Sequence, residues 1–368
     1  MDEGLKPWGF ELEEYIREGE PDKAARADAW QTAIGLQDVD GLKPSRYLLD
    51  IATEHIEGRI SIDDAERRIE SYYQKRSERT EGELESEEAD VVSARIAKML
   101  GEQAFSFSPV TWKNIHGKLF KGLIKRAGSY RDYNISKREW VLKGDTVRYA
   151  AWDSIGETVE YDFEKERAFS YKRLSQEEVV EHIAKFIAGI WQIHPFPEGN
   201  TRTTAVFAIQ YLNSFGYNVN NEPFAAHSWF FRNALVRANY SNLDEGVSAD
   251  YSFLEAFFEN LLLGKDNELK NRYMHIDWKG EQDSKSATEQ AEQAEQVTEQ
   301  VTEQVARLLE ALGNDELTAA ELMERVGLRH RPTFSYTYLR PAIELGLVEM
   351  TIPDKPRSRF QKYRKVAR

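Results

Sequence analysis

Two apolar stripes at helical spacing meet at a short Pro/Gly loop, and no other feature limits the fold of this chain as much. Val179, Val180, Ile183, Ile187, Ile190 and Trp191 recur at three- and four-residue steps, which predicts a helix over Gln176 to Ile193. A second helix is expected from Asn200 to about Phe215, closed by Gly216. Between them stands His194-Pro195-Phe196-Pro197-Glu198-Gly199, so the chain turns sharply and the two stripes must be buried in one core. Phe224 to Arg237 and Tyr251 to Leu263 read as two further apolar helices packing there. Only Glu139 to Ala151 breaks the pattern, alternating apolar and polar residues around Lys143-Gly144-Asp145 as a β-hairpin does. The fold class expected is mainly α with one small hairpin.

At about 150 residues per domain, 368 residues make two or three domains. Short helices are predicted at the N-terminal end. One runs from about Ala24 to Val39 and stops at Gly41, and another follows Ser61, whose pairing with Asp64 three residues on is close to a capping box. The charged stretch Arg76 to Asp90 reads as a boundary. From Ser284 to Leu312 the small apolar residues Ala287, Ala291, Ala294, Val297, Val301 and Val305 lie three or four apart, which suits a solvated connecting helix or, as the alternative, a helix pairing with that of a second copy in a homodimer. The divisions expected are residues 1–80, 81–280, 281–312 and 313–368. The last of these has helices around Leu317 to Leu328 and Phe334 to Leu345, then strands at Leu347 to Thr351 and Gln361 to Arg364, the order of a winged helix-turn-helix.

Charge separates this last domain from the rest. The chain carries a net −14, yet residues 325–368 hold eleven Lys/Arg against three Asp/Glu. A uniformly basic nucleic-acid binder is excluded, while Lys355, Arg357 and Arg359 on the predicted wing could contact DNA phosphates; a protein-interaction module is the alternative. Cysteine is absent, which removes disulfides, thiolate metal sites and cysteine nucleophiles and points to a reducing, cytoplasmic setting. No signal peptide or membrane-spanning run is evident, so no membrane partner is expected.

The chemistry concentrates between His194 and Ala205. A helix beginning at Asn200 leaves its first amides unpaired and turns a partial positive charge toward the loop, an anion site. Gly199 permits close backbone approach, and Arg202 adds a cationic fork suited to phosphate. Glu198 would repel that anion unless a cation lies between them, and a magnesium ion shared by one carboxylate and phosphate oxygens resolves the conflict. His194 can accept a proton near neutral pH, so a hydroxyl could be activated beside the phosphate. The implied reaction is phosphate-ester transfer.

These residues resemble the signature of the Fic family, His-x-Phe-x-(Asp/Glu)-Gly-Asn-Gly-Arg-x-x-Arg, with matches at His194, Phe196, Glu198, Gly199, Asn200 and Arg202. The resemblance covers roughly Glu85 to Leu263 and takes in Gly128-Ser129-Tyr130-Arg131 and the hairpin as segments around a target-docking flap. It implies a Fic-type helical core and an adenylyltransferase that moves AMP from magnesium-ATP to a Ser, Thr or Tyr hydroxyl of a target protein. His194 would be the general base and Glu198 the magnesium ligand. Pro195, Phe196, Gly199, Asn200 and Thr201 would form the nucleotide loop, and Arg202 would contact the outer phosphates. Thr201 replaces the second glycine and Ala205 the second arginine, so a branch that transfers the terminal phosphate is a second reading, and a nucleotide-binding, DNA-binding regulator a third. The N-terminal part resembles the small antitoxin that inhibits some Fic toxins. There Asp40 stands in place of the inhibitory glutamate, and with Ala205 at the arginine position no arginine partner is expected for it.

Overall fold

The computed structural model describes residues 20–78, 86–102, 104–217, 221–278, 304–313, 315–328, 334–353 and 361–366, with a few single positions besides. Three helices come first: α1 (Pro21–Gly35), α2 (Arg46–Ile56) and α3 (Ile62–Gln74). α1 tightens into a 3-10 turn, Leu36–Asp40, which ends at Gly41 in the left-handed region, φ +66°. Ser61 caps α3 by accepting from the Asp64 amide at 3.1 Å, as its sequence spacing predicts.

Eight helices make the central body: α4 (Glu87–Gly101), α5 (Pro109–Phe120), α6 (Ile155–Ala168), α7 (Gln176–Ile193), α8 (Asn200–Ser214), α9 (Glu222–Ala226), α10 (Ser228–Ala238) and α11 (Ser252–Leu263). α7 opens with a full capping box, in which Ser175 accepts from the Glu178 amide and Glu178 from the Ser175 amide. Its stripe packs on α11 and α6, while α8 packs on α5. The core is continuous from Trp30, Ile34 and Ile69 in the first layer to Trp112, Phe163, Ile187 and Phe207 in the second. No helix among the described residues is long and apolar enough to cross a membrane.

Four sequence expectations need correction. Glu139 to Ala151 is not a paired hairpin: it has one antiparallel bridge, Glu139 to Asp145, around a 3-10 turn, Trp140–Leu142. Val141 and Leu142 are both buried, which two neighbouring residues of a strand cannot be on one face, and Glu139 is held inside by Arg232 at 2.7 Å. The charged stretch that reads as a boundary is helical and buried at its end, where Glu87, Glu88 and Asp90 open α4. The helix expected from Phe224 to Arg237 is two helices, with His227 between them. The end of the connecting helix, 304–312, is not solvated either: Val305, Leu308 and Leu312 lie inside the C-terminal core.

That C-terminal body follows the expected order. α12 (304–312) and α13 (Ala319–Val326) are followed by a π-helical turn, Phe334–Leu339, and α14 (Arg340–Glu344). Pro341, which has no N–H to give the preceding turn, is the second residue of α14. Strands β1 (Val348–Met350) and β2 (Tyr363–Lys365) pair antiparallel with Met350 opposite Tyr363, and Leu317 bridges Tyr363 from the other side. Lys355, Arg357 and Arg359, and Ala287 to Val301, lie outside the described residues.

Asp90 ties the first layer to the second. Its carboxylate accepts from the Ser45 amide at 2.8 Å, from the Ser45 hydroxyl and from the Tyr73 hydroxyl at 2.6 Å. Burial pushes its pKa up to about 6, against the hydrogen bonds that favour the anion. A carboxyl with a higher pKa folded than unfolded stabilises the fold in its protonated form. This contribution is complete below the unfolded value near 4 and is lost as pH rises through about 6. We expect Asp90→Asn to remove that loss, so urea midpoints of wild type and variant should converge at pH 4 and separate, variant higher, by pH 7. Parallel profiles would assign the charge no such role.

Candidate active site

The loop that joins α7 to α8 is fixed by its own side chains. Asn200 Oδ1 accepts from the Phe196 amide at 3.0 Å and its Nδ2 donates to the Phe196 carbonyl at 2.8 Å, closing a ring across the turn. Asn200 therefore spends its side chain on the loop, and only its amide is available to an anion. The first intrahelical bond of α8 runs from the Thr203 amide to the Gly199 carbonyl, so the amides of Asn200, Thr201 and Arg202 head the helix. Phe196 is fully buried, stacked on His116 at 3.9 Å between ring centres. The Pro195 carbonyl accepts from the Arg131 amide at 2.8 Å.

Gly199 has φ +70°, and a Cβ there would stand 2.3 Å from the Phe120 ring. The close approach that demands glycine is therefore an aromatic ring of the protein itself. Thr201 turns away from the loop, its hydroxyl accepting from Trp191 Nε1 at 3.0 Å, so it does not crowd the amides. Ala205 is wholly buried in the core.

His194 ends α7 in the left-handed region, φ +49°. Its carbonyl accepts from Arg131 Nε at 2.8 Å, and its ring packs between Tyr149 and Trp191 at 4.4 and 5.1 Å. The side chain is buried, and neither ring nitrogen has a hydrogen-bond partner among the described residues. Burial first, then the charges of Lys137, Arg131 and Arg232, hold it well below the ordinary imidazole range. It is a neutral base at neutral pH.

Glu198 keeps its side chain one-fifth exposed. Its carbonyl accepts from His116 Nε2 at 3.0 Å; His116 Nδ1 accepts from the Gly128 amide at 2.8 Å, which fixes the proton on Nε2. Burial opposes ionisation of the Glu198 carboxyl, but Arg307, Lys137 and Tyr338 outweigh it and hold the group well below the usual carboxylate range. Among the described residues no three His, Asp or Glu side chains converge to hold a metal by themselves. One ionised carboxylate at the head of a helix fits magnesium that arrives with phosphate oxygens and water.

Arg202 is 2% exposed yet ionised. Its Nε pairs with Asp40 at 2.7 Å, Nη2 donates to Glu88 at 2.8 Å, Nη1 to Gln37 at 2.9 Å, and the guanidinium lies 4.8 Å over Phe120. Asp40 thus has an arginine partner after all, but it is the arginine of the first turn of α8, where the sequence left it none.

The structure brings His194, Glu198, Gly199, Asn200, Arg202 and Asp40 together. It adds His116, Arg131, Glu88, Gln37, Lys137, Arg307 and Tyr338, which lie far away in sequence. Arg131 alone gave a sequence signal, within Gly128-Ser129-Tyr130-Arg131.

Residues 106–212 match the Fic/DOC family, and residues 303–365 match the C-terminal domain of the Fic-like "Filamentation induced by cAMP" proteins. A crystal structure of a Fic family protein from Desulfovibrio desulfuricans G20 is similar over 99% of this chain and 98% of that one, at 19% identity and a TM-score of 0.43. No curated protein matches the chain.

Because Gly199 faces Phe120, Gly199→Ala should lower stability by about 1–3 kcal/mol, the usual cost of overpacking. Phe120→Ala removes the clash, so the two changes together should destabilise by less than their sum in denaturant titrations. Strict additivity would contradict the contact.

Proposed function

We propose, on the premise that this chain carries a Fic/DOC family domain with a Fic-like C-terminal domain behind it, that it transfers AMP from magnesium-ATP to a hydroxyl of a target protein. The observation that carries the reading is His194: a buried, neutral imidazole with no partner on either nitrogen among the described residues, on one loop with Glu198 and the head of α8. Most buried polar groups are hydrogen-bonded, so two unpaired nitrogens on one ring favour a role toward a substrate.

In this reading the amides of Asn200, Thr201 and Arg202 and the positive end of α8 receive the phosphates. Magnesium at Glu198 would neutralise phosphate oxygens. His194 takes the proton of the target hydroxyl as its oxygen bonds to the α-phosphorus and the bond to pyrophosphate breaks. Arg131, on the His194 carbonyl, keeps the imidazole in place. Arg202 reaches the outer phosphates once Asp40 or Glu88 releases it, which gives the N-terminal layer a hold on activity.

Ala205 favours one competing reading, since a lone arginine leaves the outer phosphates less constrained and transfer of the terminal phosphate becomes the alternative. Incubation with ATP labelled at the α- or the γ-phosphate separates the two. We expect α-label on protein, higher with Asp40→Asn, and a fall of about a hundredfold or more in His194→Ala. Label from the γ-position alone would establish phosphotransfer. No label from either, in wild type and Asp40→Asn alike, would end the transferase reading.

A further inference from the structure

The carboxylate that would take the cation is already engaged by cationic groups. Arg307, on α12, donates through Nη1 to Glu198 Oε1. The Tyr338 hydroxyl donates to the same oxygen at 2.7 Å, and Arg307 reaches that hydroxyl at 3.3 Å and lies 5.7 Å over its ring. Lys137 stands 3.8 Å from Glu198 Oε2. Both carboxylate oxygens are faced, one of them entirely by the C-terminal domain.

Elsewhere between the two bodies, Lys125 pairs with Glu324 of α13 at 3.1 Å, and Ile124 bridges Leu328. A cavity of about 510 Å³ lies between the bodies, lined by Asn134, Ile135, Lys137, Pro197, Arg307 and Val326. The apolar clusters on the two sides are separate, so undocking exposes no shared core. A guanidinium in contact with Glu198 and a divalent cation on the same oxygens exclude each other by Coulomb repulsion and by space.

We propose that the C-terminal domain is a displaceable cap on the active site, in which Arg307 and Tyr338 hold Glu198 in place of the divalent cation and must leave before the cation and its nucleotide bind. The proposal rests on the reading of Glu198 as the residue that receives the cation. Binding and capping are then linked reciprocally: what frees Glu198 tightens cation binding, and what binds Glu198 loosens the domain.

The test uses the full chain with manganese and ATP, binding read from the loss of the free-ion spin-resonance signal. Arg307→Ala should bind about tenfold more tightly than wild type, the scale of one charge-assisted hydrogen bond lost by the competing state. Glu324→Lys, which meets Lys125 and not Glu198, should also bind more tightly, and it keeps the test valid if Arg307→Ala folds poorly. Hydrogen exchange of residues 304–312 should quicken when manganese-ATP is added to wild type, and not in Glu198→Ala. Equal affinities for wild type, Arg307→Ala and Glu324→Lys, with Glu198→Ala weaker than all three, would overturn the cap and leave Glu198 as the cation ligand. Unchanged binding in Glu198→Ala would overturn that reading and the cap with it.

Discussion

A guanidinium buried at the first turn of α8 is what the rest of the molecule is arranged around. Left without anions, Arg202 would cost several kcal/mol, so its surroundings must supply them. Two carboxylates do so, Asp40 at the end of the first layer and Glu88 at the head of α4, with the Gln37 amide oxygen and the Phe120 face of α5 beside them. The N-terminal helices are thereby part of the central core. Trp30, Ile34 and Ile69 share one apolar cluster with Phe163 and Phe207.

The central helices were legible in the sequence because their burial is apolar and periodic. α7 begins and ends where its stripe predicts, and Gly199 and Gly41 mark turns that only left-handed backbone can make. What escaped was burial achieved by charge. Glu87, Glu88 and Asp90 fall in a charged stretch that reads as a boundary, yet each is inside, two of them on named partners from other elements. Glu139 looks like the start of a strand and is instead a buried anion for Arg232. A single sequence does not say which opposite charge a residue meets across the fold, so every such pair reads as surface.

The same limit hid half of the site. His194, Glu198 and Arg202 fall within nine residues, and their chemistry follows from the residue types. Arg307 and Tyr338 lie 109 and 140 residues from Glu198, one in the stretch that reads as a connecting helix and one in the predicted winged helix-turn-helix. Only the packing of α12 into the C-terminal core aims Arg307 at the loop.

The two charged groups of the loop are thus neutralised from outside it, with opposite signs: an anion from the N-terminal layer on Arg202, a cation from the C-terminal domain on Glu198. Losing one of these partners alone weakens the compensation of that charge, leaving Glu88 on Arg202 or Lys137 near Glu198, which is unfavourable in a region of low dielectric. A phosphate bound to a divalent cation carries both signs at once. On the proposed function it replaces Asp40 at Arg202 and Arg307 at Glu198 in a single exchange, so neither charge is exposed along the way. A free nucleotide or a free metal ion could satisfy only one side. The paired arrangement would then favour the metal–nucleotide complex over either component, through charge balance and not through any contact to the base.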